Sequence, residues 1–178
     1  KYTHEAILDA AFALVQAYGI EALNARAVAS RLGCSTQPLF RQFASMEDIR
    51  AAVIRKAVER YNTAIQCSAT LATTPYKGTG MAYIQFAHDE PQLFKLLFMR
   101  DRVHGGDPQK DDDENMDYIL TAIQRSTGFS REKALLFHRH LWIYAHGLAV
   151  MVATNYVAYN PEDVSQLLSE QFLAIRRT

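Results

Sequence analysis

Apolar residues recur along most of the chain at the i, i+3, i+4, i+7 spacing of an amphipathic helix. Ile7, Ala10, Ala11, Leu14 and Tyr18 form the first such stripe, and Gly19 follows where a helix would stop. Asn24 is placed to cap a short second helix with Val28, Ala29 and Leu32 on its inner face, ended by Gly33. Ser35 is placed to cap a third helix carrying Leu39, Phe40 and Phe43. Ser45-Met46-Glu47-Asp48 approaches a capping box and sets two carboxylates at the positive end of a fourth helix, predicted to end near Gln66.

The same punctuation continues. Thr73-Thr74-Pro75 and Asp89-Glu90-Pro91 each read as a cap followed by a first-turn proline. The polar stretch from Arg100 to Glu114, with Gly105-Gly106 and Asp111-Asp112-Asp113-Glu114, is predicted to be a solvated loop. A helix then ends near Gly128. Ser130 caps the next one, which is predicted to reach Tyr156. That helix is apolar nearly all round (Leu135, Leu136, Phe137, Leu141, Trp142, Ile143, Leu148, Val150, Met151, Val152), so it is expected to be buried on several sides. Asn160-Pro161-Glu162-Asp163 opens a last helix with a single stripe of Val164, Leu167, Leu168, Phe172 and Ile175. No segment alternates at strand period, and no repeat or low-complexity tract interrupts the pattern. The fold class is all-α.

Bulk properties narrow this picture only a little. A chain of 178 residues suits one core, or a small module docked on a larger one. The net charge is zero, but residues 1–60 hold eight Lys/Arg against six Asp/Glu, a balance of +2 that leaves −2 for the rest. Neither Cys34 nor Cys67 belongs to a metal-binding spacing, and so few cysteines in a chain this size point to a reducing compartment and a cytoplasmic protein. The longest apolar stretch, Leu141 to Thr154, is too short to span a bilayer, so no membrane partner is expected. The chain starts at Lys1 and not Met, which implies that further residues precede it.

The first 45 residues have the grammar of a helix-turn-helix: one helix, then short helices joined by tight turns. In Ala29-x-x-x-Gly33-Cys34-Ser35, the small Ala29 lets two helices approach, and Gly33 can adopt the positive φ of the turn. The helix that follows would expose Thr36, Gln37, Arg41 and Gln42, side chains suited to base edges and phosphates. Pro38 falls in its first turn, where a missing N–H does no harm.

At these positions the chain resembles the TetR family of one-component regulators. The resemblance runs through Ile7-Leu8-x-Ala10-Ala11, Leu14, Gly19, Ala29, Gly33, Ser35, Leu39-Phe40-x-x-Phe43 and Ser45-x-Glu47. It implies a DNA-binding head over residues 1–45, then an effector-binding and dimerisation domain over 46–178, with helix 4 (about 46–66) as connector. It also implies a transcriptional regulator, by family default a repressor released from a pseudo-palindromic operator by a small-molecule effector. The DNA-binding residues would be Arg26, Ser35, Thr36, Gln37, Pro38, Phe40, Arg41, Gln42 and Ser45. Two positions depart from the family: Phe40 stands where a tyrosine is usual, and Met46 where a lysine is usual. Each change removes a phosphate contact, so weaker backbone affinity is expected.

The resemblance further places a homodimer interface on the last two helices, where Ala145 and Ala149 would allow close approach, and an effector pocket among the aromatics of the middle of the chain. Most of those aromatics are ordinary core. The candidate ligand-binding residues are Phe86, His88, Phe98, Met99, Tyr118, Phe137, His140, Tyr144 and His146, with the histidines and Tyr144 able to orient a ligand by hydrogen bonds. His138 and His140 do not converge on one helix face, so no metal site is expected, and no cofactor motif occurs. Trp142-Ile143-Tyr144-Ala145-His146-Gly147 is similar to a Trp…His-Gly signature in the C-terminal domain of one TetR subgroup. The alternatives are an all-helical enzyme and an interaction module without DNA binding. Against an enzyme, the chain lacks a phosphate loop, a nucleophile elbow and an evident acid/base pair.

Overall fold

The computed structural model describes residues 2–71, 75–99 and 113–176. Among these the secondary structure is helical: α1 (His4–Tyr18), α2 (Ala25–Leu32), α3 (Gln37–Gln42), α4 (Met46–Leu71), α5 (Pro75–Asp89), α6 (Pro91–Phe98), α7 (Asp113–Thr127), α8 (Arg131–Ala153) and α9 (Pro161–Arg176), with one 3-10 turn at Ile20–Ala22. α4 extends one turn past its expected end. Of the predicted loop, residues 100–112 lie outside the described residues, as do Thr73 and Thr74; Asp113 and Glu114 already belong to α7. The chain divides into two compact units, Lys1–Tyr61 with Glu90–Arg100, and Asn62–Asp89 with Asp101–Thr178.

The first unit is built from local signals that each do one job. Thr3 caps α1 by accepting from the Ala6 N–H at 3.2 Å. Ile7, Ala11 and Val15, all fully buried, form the inner stripe of α1. Asn24 caps α2 through the Ala27 N–H at 3.0 Å. α2 ends in a Schellman motif, with the Cys34 N–H on the Ala29 carbonyl and the Gly33 N–H on that of Ser30, while Gly33 is left-handed at φ 67°, ψ 35°. Ile49, Val53 and Ala57 of α4, and Leu93 and Phe94 of α6, complete this core.

The second unit packs α5, α7, α8 and α9. Its core cluster is Ile119, Leu120, Ile123, Ala134, Phe137 and Leu141, with Tyr76, Phe129 and Phe172 packed against it. Gly128, at φ 75°, turns the chain out of α7, and Ser130 caps α8 through the Lys133 N–H at 3.2 Å. Helix α8 departs from expectation at its end, stopping at Ala153, because Asn155 takes φ 56°. Ala134, Phe137, Leu141, Ala145, Ala149 and Val152 bury one side of it, while Leu136 and Ile143 are 56% and 60% exposed on the single chain. Ala145 and Ala149, expected at a two-fold interface, are buried inside the single chain. Leu167 departs from the buried stripe of α9, whose fully inward positions are Val164 and Leu168.

Candidate nucleic-acid interface and a polar seam in the second unit

Six residues make too short a helix to persist unaided, so α3 depends on what holds it. Leu39 is fully buried and Phe43, at the C-cap, nearly so. The His4 ring stacks on Phe43, with centroids 4.1 Å apart and planes 23° from parallel. Gln37 and Arg41 lie one turn apart on the side opposite Leu39, and both are exposed, as is Gln42. The inner residues anchor the helix, and the outer ones are free to touch another molecule.

The start of α3 differs from expectation. Thr36 and not Ser35 occupies the N-cap, in a helical conformation and without a side-chain cap bond. Pro38 explains this. It has no N–H to be capped, and the next amide, that of Leu39, is already bonded to the Thr36 carbonyl at 3.1 Å. The capping of α4 follows the sequence: Ser45 Oγ accepts the Asp48 N–H at 3.1 Å and donates to Asp48 Oδ2 at 3.0 Å. Of the nine expected DNA-binding residues, Arg26, Ser35, Gln37, Phe40, Arg41 and Gln42 are exposed, while Thr36, Pro38 and Ser45 are half-buried. Phe40 leaves an aromatic ring 47% exposed on the outer face of the head.

The nine candidate ligand-binding residues do not form one cluster. Phe98 and Met99 lie in the first unit, Phe98 edge-on to Tyr61 and Met99 exposed. The other seven lie in the second. There Phe137 sits in the core cluster and Phe86 is buried, whereas Tyr118 and His140 are exposed and Tyr144 is half-buried. His88 stacks on Tyr159 at 4.6 Å, and Tyr159 Oη donates to Gln85 Oε1 at 2.5 Å. Burial, and secondarily the Asp89 charge, raise the Tyr159 pKa.

The structure instead reveals a seam between α5 and α8. The Tyr76 hydroxyl lies 3.2 Å from His138 Nδ1, and two turns further along, the Tyr83 hydroxyl lies 2.8 Å from His146 Nδ1. Trp142 stands between the two histidines on α8 and stacks on His146 at 5.0 Å, 15° from parallel. Burial lowers the His138 pKa to about 4, lowers that of His146, and raises that of Tyr76. Both imidazoles are therefore neutral near pH 7, and the phenol of Tyr76 keeps its proton. Of these residues only His146 is among the expected ligand-binding residues; Tyr76, Tyr83, His138 and Trp142 are not. The sequence signal that reveals them is joint: tyrosines seven apart on one helix, and histidines flanking Trp142 at four-residue steps on another. Among the described residues no group of three His, Cys, Asp or Glu could hold a metal ion.

Residues 7–53 match the family described as bacterial regulatory proteins of the tetR family, and residues 77–175 match the tetracyclin repressor-like C-terminal domain. The chain belongs to the TetR family. As a TetR-family transcriptional regulator it carries its helix-turn-helix in α2 and α3. No curated relative matches it. Among solved structures it is similar to a TetR-like transcriptional regulator from Rhodococcus sp. RHA1 (TM-score 0.69, 16% identity, 95% of this chain and 92% of that one). It is also similar to a TetR-family member from Streptomyces coelicolor A3 (0.63, 18%, 94% and 96%). A third likeness is to SmeT, the repressor of the Stenotrophomonas maltophilia multidrug efflux pump SmeDEF (0.60, 18%, 98% and 90%). At these identities the likeness establishes the TetR fold. No helix among the described residues is long and apolar enough to cross a membrane.

Proposed function

We propose that this regulator is a cytoplasmic homodimer that represses transcription from a pseudo-palindromic operator and is released by a small-molecule effector. The observation that carries the reading is α3, whose exposed Gln37, Arg41 and Gln42 ride on the buried Leu39 and Phe43. A firmly anchored helix with an outward polar face is what reading a major groove requires. In this reading residues 1–45 are the DNA-binding head, helix 4 is the connector, and residues 46–178 bind effector and partner. Repression is favoured by the structural likeness to SmeT, itself a repressor.

Effector binding is assigned to the second unit. A polar seam of Tyr83, Trp142 and His146 within apolar helices offers both aromatic surface and oriented hydrogen-bonding groups. The His146-Gly147 pair after Trp142 fits the Trp…His-Gly subgroup. Dimerisation is assigned to α8 and α9, where Leu136, Ile143, Leu167 and Leu173 leave apolar surface exposed on the single chain.

Selection of duplexes from a random-sequence library by the full-length protein tests this function. The expected product is an inverted repeat whose binding weakens steeply with salt. Failure to enrich any duplex at low salt rejects it.

A further inference from the structure

Glu90 is the residue at which the chain re-enters the first unit, directly after α5. Its side chain is only 9% exposed, and although it stands at the N-cap of α6 it makes no side-chain cap bond there. Its carboxylate is committed to two other helices. Gln16 Nε2 of α1 lies 2.9 and 2.8 Å from the two oxygens. Arg60 of α4 donates from Nε at 2.6 Å and adds a second contact from a terminal nitrogen to the same oxygen. Arg60 is itself one residue before the point where α4 leaves the unit.

One ion cluster thus joins two of the points at which the backbone passes between units. Arg60 on α4 and Gln16 on α1 share one carboxylate, that of Glu90 at the start of α6. Helix α1 packs in turn against α2 and α3. A buried carboxylate stripped of its donors is strongly disfavoured, so the cluster holds together or opens as a whole.

We propose that Glu90 is a positioning residue for operator recognition, locking α1 to α4 and α6 through Gln16 and Arg60 and so setting how the head presents α3. The proposal rests on the reading of the chain as a duplex-binding regulator.

The test uses the full-length protein and the duplex that it selects from a random library. Glu90→Leu and Gln16→Leu are each expected to weaken binding of that duplex about tenfold. The double variant is expected to lose no more than the worse single one. Affinity for unrelated duplex and the slope of log affinity against log salt stay unchanged, because no phosphate contact is removed. Glu90→Gln keeps a carbonyl acceptor and is expected to fall between wild type and Glu90→Leu; it decides the matter if the leucine variant does not fold. Amide exchange in α1 is expected to accelerate in the same variants. Wild-type affinity and exchange in a folded Glu90 variant, additive losses in the double variant, or a parallel loss of unrelated-duplex binding would each overturn the role of Glu90. If the wild-type protein selects no duplex, the regulator reading fails and this role fails with it, an outcome distinct from normal selection with indifferent variants.

Discussion

The hydroxyl of Tyr76 meets Nδ1 of His138, 62 residues away in the chain, at 3.2 Å inside the second unit. Burial has moved the titration of this imidazole from its ordinary 6.5 down to about 4. The unfolded chain therefore takes up the proton first. The stabilisation is fully present above about pH 6.5 and is lost as pH falls toward 4, a difference of about 3 kcal/mol. Urea unfolding at pH 7, 5.5 and 4.5 is expected to show this decline. His138→Gln, which keeps a hydrogen-bonding group but does not titrate, should lack that part of it. Identical pH dependence in the two proteins would show that His138 is not the group responsible.

What could be read ahead of the structure was local. The Ile7–Leu14 stripe, the caps at Asn24, Ser45 and Ser130, and the stop at Gly33 all depend on residues within a turn or two of one another, so spacing reveals them. The Glu90 cluster and the two tyrosine–histidine pairs join residues 30 to 74 positions apart, and no period records them. Ser35 misled because a serine before a helix is usually its cap, while Pro38 had removed the amide needing one. On α8 apolar content alone did not separate the residues that pack within the chain, such as Phe137 and Leu141, from Leu136 and Ile143, which are exposed on it.

The turn of the head makes its own prediction. Gly33 is left-handed, yet an added Cβ would meet nothing within 4 Å. The penalty for a side chain there is therefore backbone strain alone. Gly33→Ala is expected to cost about 1–2 kcal/mol in denaturant unfolding, and Gly33→Asn clearly less. A neutral alanine variant would mean that the turn relaxes out of the left-handed region.

On the exposed face of α3, the residues differ in what they can contribute. Gln37→Ala is expected to relax base preference at one operator position. Arg41→Ala should lower affinity evenly across operator variants and reduce the salt slope by about one. Phe40 is 47% exposed where the family usually has tyrosine. Phe40→Tyr should raise affinity about three- to tenfold for every sequence, as one added hydrogen bond to a phosphate would. Titration of each variant against a panel of duplexes separates these roles. Equal behaviour of the Gln37 and Arg41 variants would remove the distinction between reading and anchoring.

The outer face of α8 gives the sharpest contrast between folding and assembly. Leu136, His140, Ile143 and Gly147 fall on one side of the helix, all exposed on the single chain. A Cβ on Gly147 would meet nothing within 4 Å. Within one chain, replacing this helical glycine should therefore stabilise α8 by up to about 1 kcal/mol. If the face packs against a second copy, the absence of a side chain is instead what lets the helices meet. Gly147→Leu is accordingly expected to raise or preserve thermal stability of the monomer while weakening the dimer about thirtyfold or more, as loss of a central contact does. Ile143→Glu should dissociate the dimer by placing a charge in the same contact. Sedimentation velocity over a range of concentrations reads both effects directly. A Gly147→Leu protein that remains dimeric at the lowest concentration would move the interface away from this face of α8.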